Sequence, residues 1–170
     1  MKSSIALIGF MGTGKSTVGR LLAEMTGREF VELDDIIAGE AGMSIPAIFE
    51  HEGEIGFRER EISAVKKLAG KHNTVIACGG GVVLNMINIE RLRQECIIIC
   101  LTASPLVILE RTRQQPGDRP LLDVDDEYES IKKLLHFRRP FYRRAADIII
   151  DTSGLTPENV ARRIVRKLKL

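Results

Sequence analysis

Apolar positions recur along this chain in two alternating rhythms. Short runs rich in β-branched residues, at 4–9 (SIALIG), 29–33 (EFVEL), 74–78 (TVIAC), 96–101 (CIIICL) and 147–151 (DIIID), read as strands. Several are apolar at successive rather than alternate positions, which predicts burial on both faces, as in a parallel sheet. Between them the spacing turns helical. Residues 15–26 place Val18, Leu21, Leu22 and Met25 at i, i+3, i+4 and i+7, with Gly27 as a stop. Ser104 with Pro105, and Thr156 with Pro157, pair an N-cap with a first helical residue for two more helices. Residues 54–69 and 126–139 also read as helical. Strand–helix alternation of this kind predicts an α/β fold: a three-layer sandwich with a five-stranded parallel sheet flanked by helices. The stretch QQPGDRPLLDVDD, at 114–126, follows neither rhythm and is either an inert connection or a flap over a site.

Composition narrows the class. A chain of 170 residues is expected to form one domain, 1–170, with a core of its own. Lys and Arg (25) nearly balance Asp and Glu (23), so bulk nucleic-acid binding is not expected. The basic clusters at 132–144 and 161–170 read as solvated helix faces, or, for the first, as a surface turned towards an anion. Cys78, Cys96 and Cys100 all have apolar neighbours. Cys96 and Cys100, four apart on one strand, are separated by about 13 Å, beyond disulfide reach. Reduced thiols fit a cytoplasmic address. No apolar run approaches the ~18 residues of a membrane span, and no secretory leader is expected.

The stretch Gly9-Phe10-Met11-Gly12-Thr13-Gly14-Lys15-Ser16-Thr17 lies between the first strand and the first helix, as G-x-x-x-x-G-K-[ST] requires. Glycines let backbone amides converge on one point, and the positive end of the following helix then cradles phosphate oxygens. In this arrangement Lys15 bridges the β- and γ-phosphates of a nucleoside triphosphate and the Ser16 hydroxyl holds Mg²⁺. Ligands of open α/β sheets bind beyond the carboxyl ends of the strands. Beyond the second strand come Glu32, Asp34 and Asp35, which either face a γ-phosphate or cap a helix. Beyond the third come Gly79, Gly80 and Gly81, either a tight turn or a close approach to a ligand. Arg58 enters a core-facing row, Ile62–Val65–Ala69, where an unpaired charge is costly. Its partner is Glu61 or the carboxylate of a substrate. Phe49 and Phe57 could floor such a site, and Arg113, Arg119, Arg138 and Arg139 could neutralise a transferring phosphoryl group.

Six segments in order carry a resemblance: GFMGTGKSTVGRLLA, FVELDDII, IFEHEGEIGFREREI, ACGGGVV, DRPLL and RRPFYRRAAD. Over nearly its whole length the chain resembles the shikimate kinases. The resemblance implies a P-loop kinase fold with a substrate-binding region at about 34–62 and a lid at about 113–126. It implies ATP-dependent phosphorylation of the 3-hydroxyl of shikimate. With its balanced charge and short apolar runs, the chain is expected to bind neither nucleic acid nor membrane and to be a monomer. By position, Asp34 resembles the residue that binds the acceptor hydroxyl. Arg58 and Arg138 resemble the pair that holds the substrate carboxylate, and Gly80 and Gly81 its backbone contact. Arg119 resembles the lid arginine that reaches the phosphates, and Arg111 and Pro157 fall near positions that flank adenine. The implied sites are thus catalytic Lys15, Asp34 and Arg119, with ATP on Gly12 to Thr17, Arg111, Arg119 and Pro157. Where the family reads Asp-x-Asp after the second strand, this chain reads Glu32-Leu33-Asp34. Glutamate adds a methylene to the water-mediated contact with Mg²⁺. A gluconate kinase of the same fold, and a nucleotide-binding homologue without turnover, are the alternatives.

Overall fold

A computed structural model describes residues 2–114 and 126–170. Five strands, β1 (Ser4–Ile8), β2 (Glu29–Glu32), β3 (Thr74–Ala77), β4 (Cys96–Thr102) and β5 (Ile148–Asp151), pair in parallel in the order β2-β3-β1-β4-β5. The expected strands are all present, each within about a residue of its predicted bounds.

The two-sided burial predicted for these runs resolves into two separate cores. Alternate residues of a strand face opposite sides of the sheet. Ile5 and Leu7 of β1, Val75, Ile99, Leu101 and Ile150 pack with α1 (Lys15–Thr26) and α7 (Pro157–Leu168). Ala6 and Ile8, Ile76, Ile98 and Cys100 pack on the other side. There they meet α2 (Leu33–Ala41), α3 (Ile45–Leu68), α4 (Met86–Glu95), α5 (Pro105–Gln114) and α6 (Glu127–Ala145). The result is the three-layer sandwich, with the glycine-rich turn leaving the central strand.

Two helices differ from expectation. The buried stripe of α1 is Val18, Gly19, Leu22 and Ala23, whereas Met25 is 42% exposed. Gly19 sits directly under Phe30, so the helix turns its small residues towards the sheet. The helix expected at 54–69 begins at Ile45, capped by the Ser44 hydroxyl accepting from the Ala47 amide at 3.3 Å, and bends at Gly53.

Candidate active site

At the carboxyl edge of the sheet, β1 runs through the glycine-rich turn into α1. Gly9, Gly12 and Gly14 have φ of +141°, +72° and +94°. Glycine takes such values without steric cost. A Cβ on Gly9 would also strike the carbonyl of Leu101. Thr13 is buried and its hydroxyl donates to the Phe10 carbonyl at 2.7 Å; Lys15 Nζ donates to the same oxygen at 2.9 Å. The first helical bond of α1 is from the Val18 amide to the Gly14 carbonyl, at 2.9 Å. The amides of Lys15, Ser16 and Thr17 are therefore donors of a helix start that find no backbone partner among the described residues.

These groups line a cavity of about 380 Å³ with Glu32, Asp34, Cys78, Gly79, Gly80, Arg111, Thr152 and Pro157. Its charges are unevenly solvated. Burial lowers the pKa of Lys15, opposed by Asp34 and Glu32. Burial raises Glu32, against a hydrogen bond from Ser16, and raises Asp34, against the Lys15 charge. Asp34 Oδ1 is buried and has no hydrogen-bond partner among the described residues. A buried acceptor left unpaired in the protein is available to a ligand. Arg111 is fixed at the cavity wall by bonds to the Gly12 carbonyl (3.2 Å) and to the Thr152 hydroxyl and carbonyl (2.9 and 2.8 Å).

Next to Asp34 the backbone of Gly79–Gly81 is crowded by cations and acids. A Cβ on Gly79 would lie 3.1 Å from Asp34 Oδ1 and 3.2 Å from Glu61 Oε2. A Cβ on Gly80 would lie 3.5 Å from Arg138 Nη1, and one on Gly81 would overlap the Arg58 guanidinium. Arg138 is 2% exposed, and its Nε has no partner among the described residues. Arg58 bonds Glu61 at 3.1 Å, the protein partner expected from the sequence, and Glu54 at 3.1 Å. It has protein anions, and its fork still faces Gly81. Burial pushes the Glu61 carboxyl up to about 7, although Arg58 opposes the shift. Phe49 and Phe57 stack at 4.6 Å, with the Arg58 guanidinium 5.1 Å from the Phe57 ring centre.

The structure thus gathers Gly12 to Thr17, Glu32, Asp34, Gly80, Arg111 and Pro157 around one cavity, with Gly81, Arg58, Arg138, Phe49 and Phe57 beside it. Arg113 and Arg139 belong elsewhere. Arg113 is exposed and pairs with Glu127 at 3.0 Å, and Arg139 lines a separate groove along α6. Arg119 and most of the expected lid lie outside the described residues. Two further residues complete the site. The Thr152 hydroxyl, buried just beyond β5, lies 3.1 Å from the Thr13 carbonyl and 3.0 Å from that of Thr102. The Tyr142 hydroxyl donates to the Gly80 carbonyl. Tyr142 lies one helical turn beyond Arg138, a spacing that could have marked it.

The family model described as shikimate kinase matches residues 11–169. The chain belongs to the shikimate kinase family. The shikimate kinase of Thermodesulfovibrio yellowstonii is 48% identical over 164 residues, covering 96% of this chain and 94% of the relative. That of Halorhodospira halophila is 44% identical over 167 residues, covering 98% and 94%. Among solved structures, the shikimate kinase of Acinetobacter baumannii in complex with shikimate superposes with a TM-score of 0.93 at 39% identity, covering 98% of this chain and 93% of that one. A gluconokinase from Sinorhizobium meliloti, at 18% identity and a TM-score of 0.58, shares the fold alone. The family membership favours the shikimate kinase expectation over the gluconate kinase alternative.

Proposed function

We propose that the chain transfers the γ-phosphoryl group of ATP to the 3-hydroxyl of shikimate, giving shikimate 3-phosphate and ADP, in the synthesis of aromatic amino acids. One observation carries the reading: a phosphate-cradling turn, the buried Arg138 and the half-buried Arg58 meet across Asp34, whose inner oxygen has no partner among the described residues.

The parts divide by charge. The amides of residues 12–17 and Lys15 hold the triphosphate, with Arg111 and Pro157 beside the base. Arg58 and Arg138 take the carboxylate of shikimate, a planar anion suited to guanidinium forks. Phe49 and Phe57 floor the ring, and Gly80 and Gly81 allow the backbone to come close. The free oxygen of Asp34 accepts the acceptor hydroxyl and turns it in line with the γ-phosphorus. Phosphoryl transfer gains mainly from such positioning and from charge stabilisation. Hard oxygen donors, the Ser16 hydroxyl and the Glu32 carboxylate through water, suit Mg²⁺, a small ion that keeps several waters. When bound, that ion offsets charge on the β- and γ-phosphate oxygens. Residues 113–126 act as the lid, and Arg119 completes the phosphate contacts from it. The enzyme works as a monomer in the cytoplasm, where its thiols stay reduced.

An ADP-coupled assay over a panel of hydroxy acids tests this. Shikimate should stimulate ADP release at least a hundredfold over the rate with ATP alone, and gluconate should not. Equal stimulation by gluconate would overturn the substrate assignment.

A further inference from the structure

Helix α3 carries Phe49, Phe57 and Arg58, and it is not straight. At Gly53 the backbone has φ 69° and ψ −176°, a combination open essentially to glycine alone. Three contacts show what the bend achieves. Phe49 and Phe57, eight residues apart, stack with ring centres at 4.6 Å. On a straight helix they would be about 12 Å apart along the axis, and side chains of one helix lean the same way. Glu52 and Arg60, also eight apart, close a two-armed ion pair at 2.6 and 2.7 Å. The fold-back presses residue 52 against Gly56, where a Cβ would lie 2.5 Å from the Cβ of Glu52.

We propose that Gly53, with Gly56, is a positioning residue for the acid-binding half of the site: its glycine-only torsion folds α3 back so that Phe49 meets Phe57 and Arg58 faces Gly81. This rests on the reading of shikimate as the acceptor and adds the device that builds its pocket. The two glycines serve separate needs. Nothing lies within 4 Å of a Cβ on Gly53, so only its torsion is at stake. Gly56 has no positive φ, so only its clearance is. The nucleotide-binding turn is on another element and does not depend on the bend.

Steady-state kinetics of Gly53→Ala and Gly56→Ala test the proposal, with Gly39→Ala as control. Gly39 lies within α2, has ordinary torsions and has open space for a Cβ. Both bend variants should raise KM for shikimate at least tenfold while KM for ATP stays within twofold; the control should change neither. Unchanged KM for shikimate in both, or an equal rise in KM for ATP, would overturn the proposal. A chemically synthesised chain with D-alanine at position 53, which favours positive φ, should restore the low KM for shikimate. A raised KM in that chain would also overturn it, even if the L-alanine variant fails to fold. Absence of shikimate-dependent ADP release from the unaltered protein would instead sink the acceptor assignment.

Discussion

Glu61 is a buried carboxyl group and Asp34 a half-buried one with its Oδ1 buried, both near Arg58, and their surroundings give them different work. Asp34 keeps a bare oxygen towards the cavity, whereas Glu61 spends its oxygens on Arg58. Replacing Asp34 by Asn preserves shape but removes the charge that orients the hydroxyl. Asp34→Asn should lower kcat a hundredfold or more with KM for shikimate changed less than threefold; near-normal turnover in a steady-state assay would remove Asp34 from the chemistry. Glu61 makes a prediction about pH. Its carboxyl titrates near 7 in the folded protein against an ordinary value of 4.5. Between those values the folded state holds the extra proton, so this group's contribution to stability falls as pH rises from about 4.5 to about 7. Urea midpoints across that range should decline in the parent protein and decline less in Glu61→Gln; identical slopes would show that Glu61 titrates normally. The residue types were legible in sequence, with Arg58 and Glu61 paired by their i, i+3 spacing. The orphaned oxygen of Asp34 and the bond from Tyr142 to Gly80 were not, because both depend on contacts between distant segments.

At the scale of elements, the strands were the most readable part. Ile5-Ala6-Leu7-Ile8 is apolar throughout because its two faces serve two different cores. The helices were read less well, for reasons visible in α1 and α3. In α1 the burial of Gly19 rotates the inward stripe away from Met25, since closeness to the sheet outweighs side-chain size. In α3 the expected helix starts at 54, just beyond Gly53, and only the backbone torsion shows that the helical segment from Ile45 folds back onto it there. The close approach of α1 has a testable cost. A Cβ on Gly19 would lie 2.6 Å from Cε2 of Phe30, a ring also covered by the Arg20 guanidinium at 4.6 Å. Gly19→Ala should therefore lower stability by about 1–3 kcal/mol through overpacking, measured by urea denaturation. A stabilised variant, the usual result of Gly→Ala in a helix, would show that the helix can back away.

Across the whole molecule, the sheet sorts its chemistry by edge. The carboxyl ends of the strands hold the cavity, with Cys78 at its wall, while Cys96 and Cys100 lie buried within the layers. Cys78, Cys96 and Cys100 are each no more than 1% exposed, and burial pushes Cys96 and Cys100 up to about 12 and raises Cys78 well above the ordinary thiol value. Thiolate is the reactive form, so a disulfide reagent such as DTNB should label no thiol rapidly in the native protein and three after denaturation. Rapid native labelling would mean that a core layer opens readily. The central expectation is that a triphosphate on the glycine-rich turn and a small ring acid on Arg58 and Arg138 meet at Asp34. Phosphorus NMR of the protein with ATP, Mg²⁺ and shikimate addresses it most directly. A new phosphomonoester signal coupled to the proton on ring carbon 3 should grow in step with ADP. ADP formed alongside inorganic phosphate alone, with shikimate left unmodified, would contradict the proposed transfer.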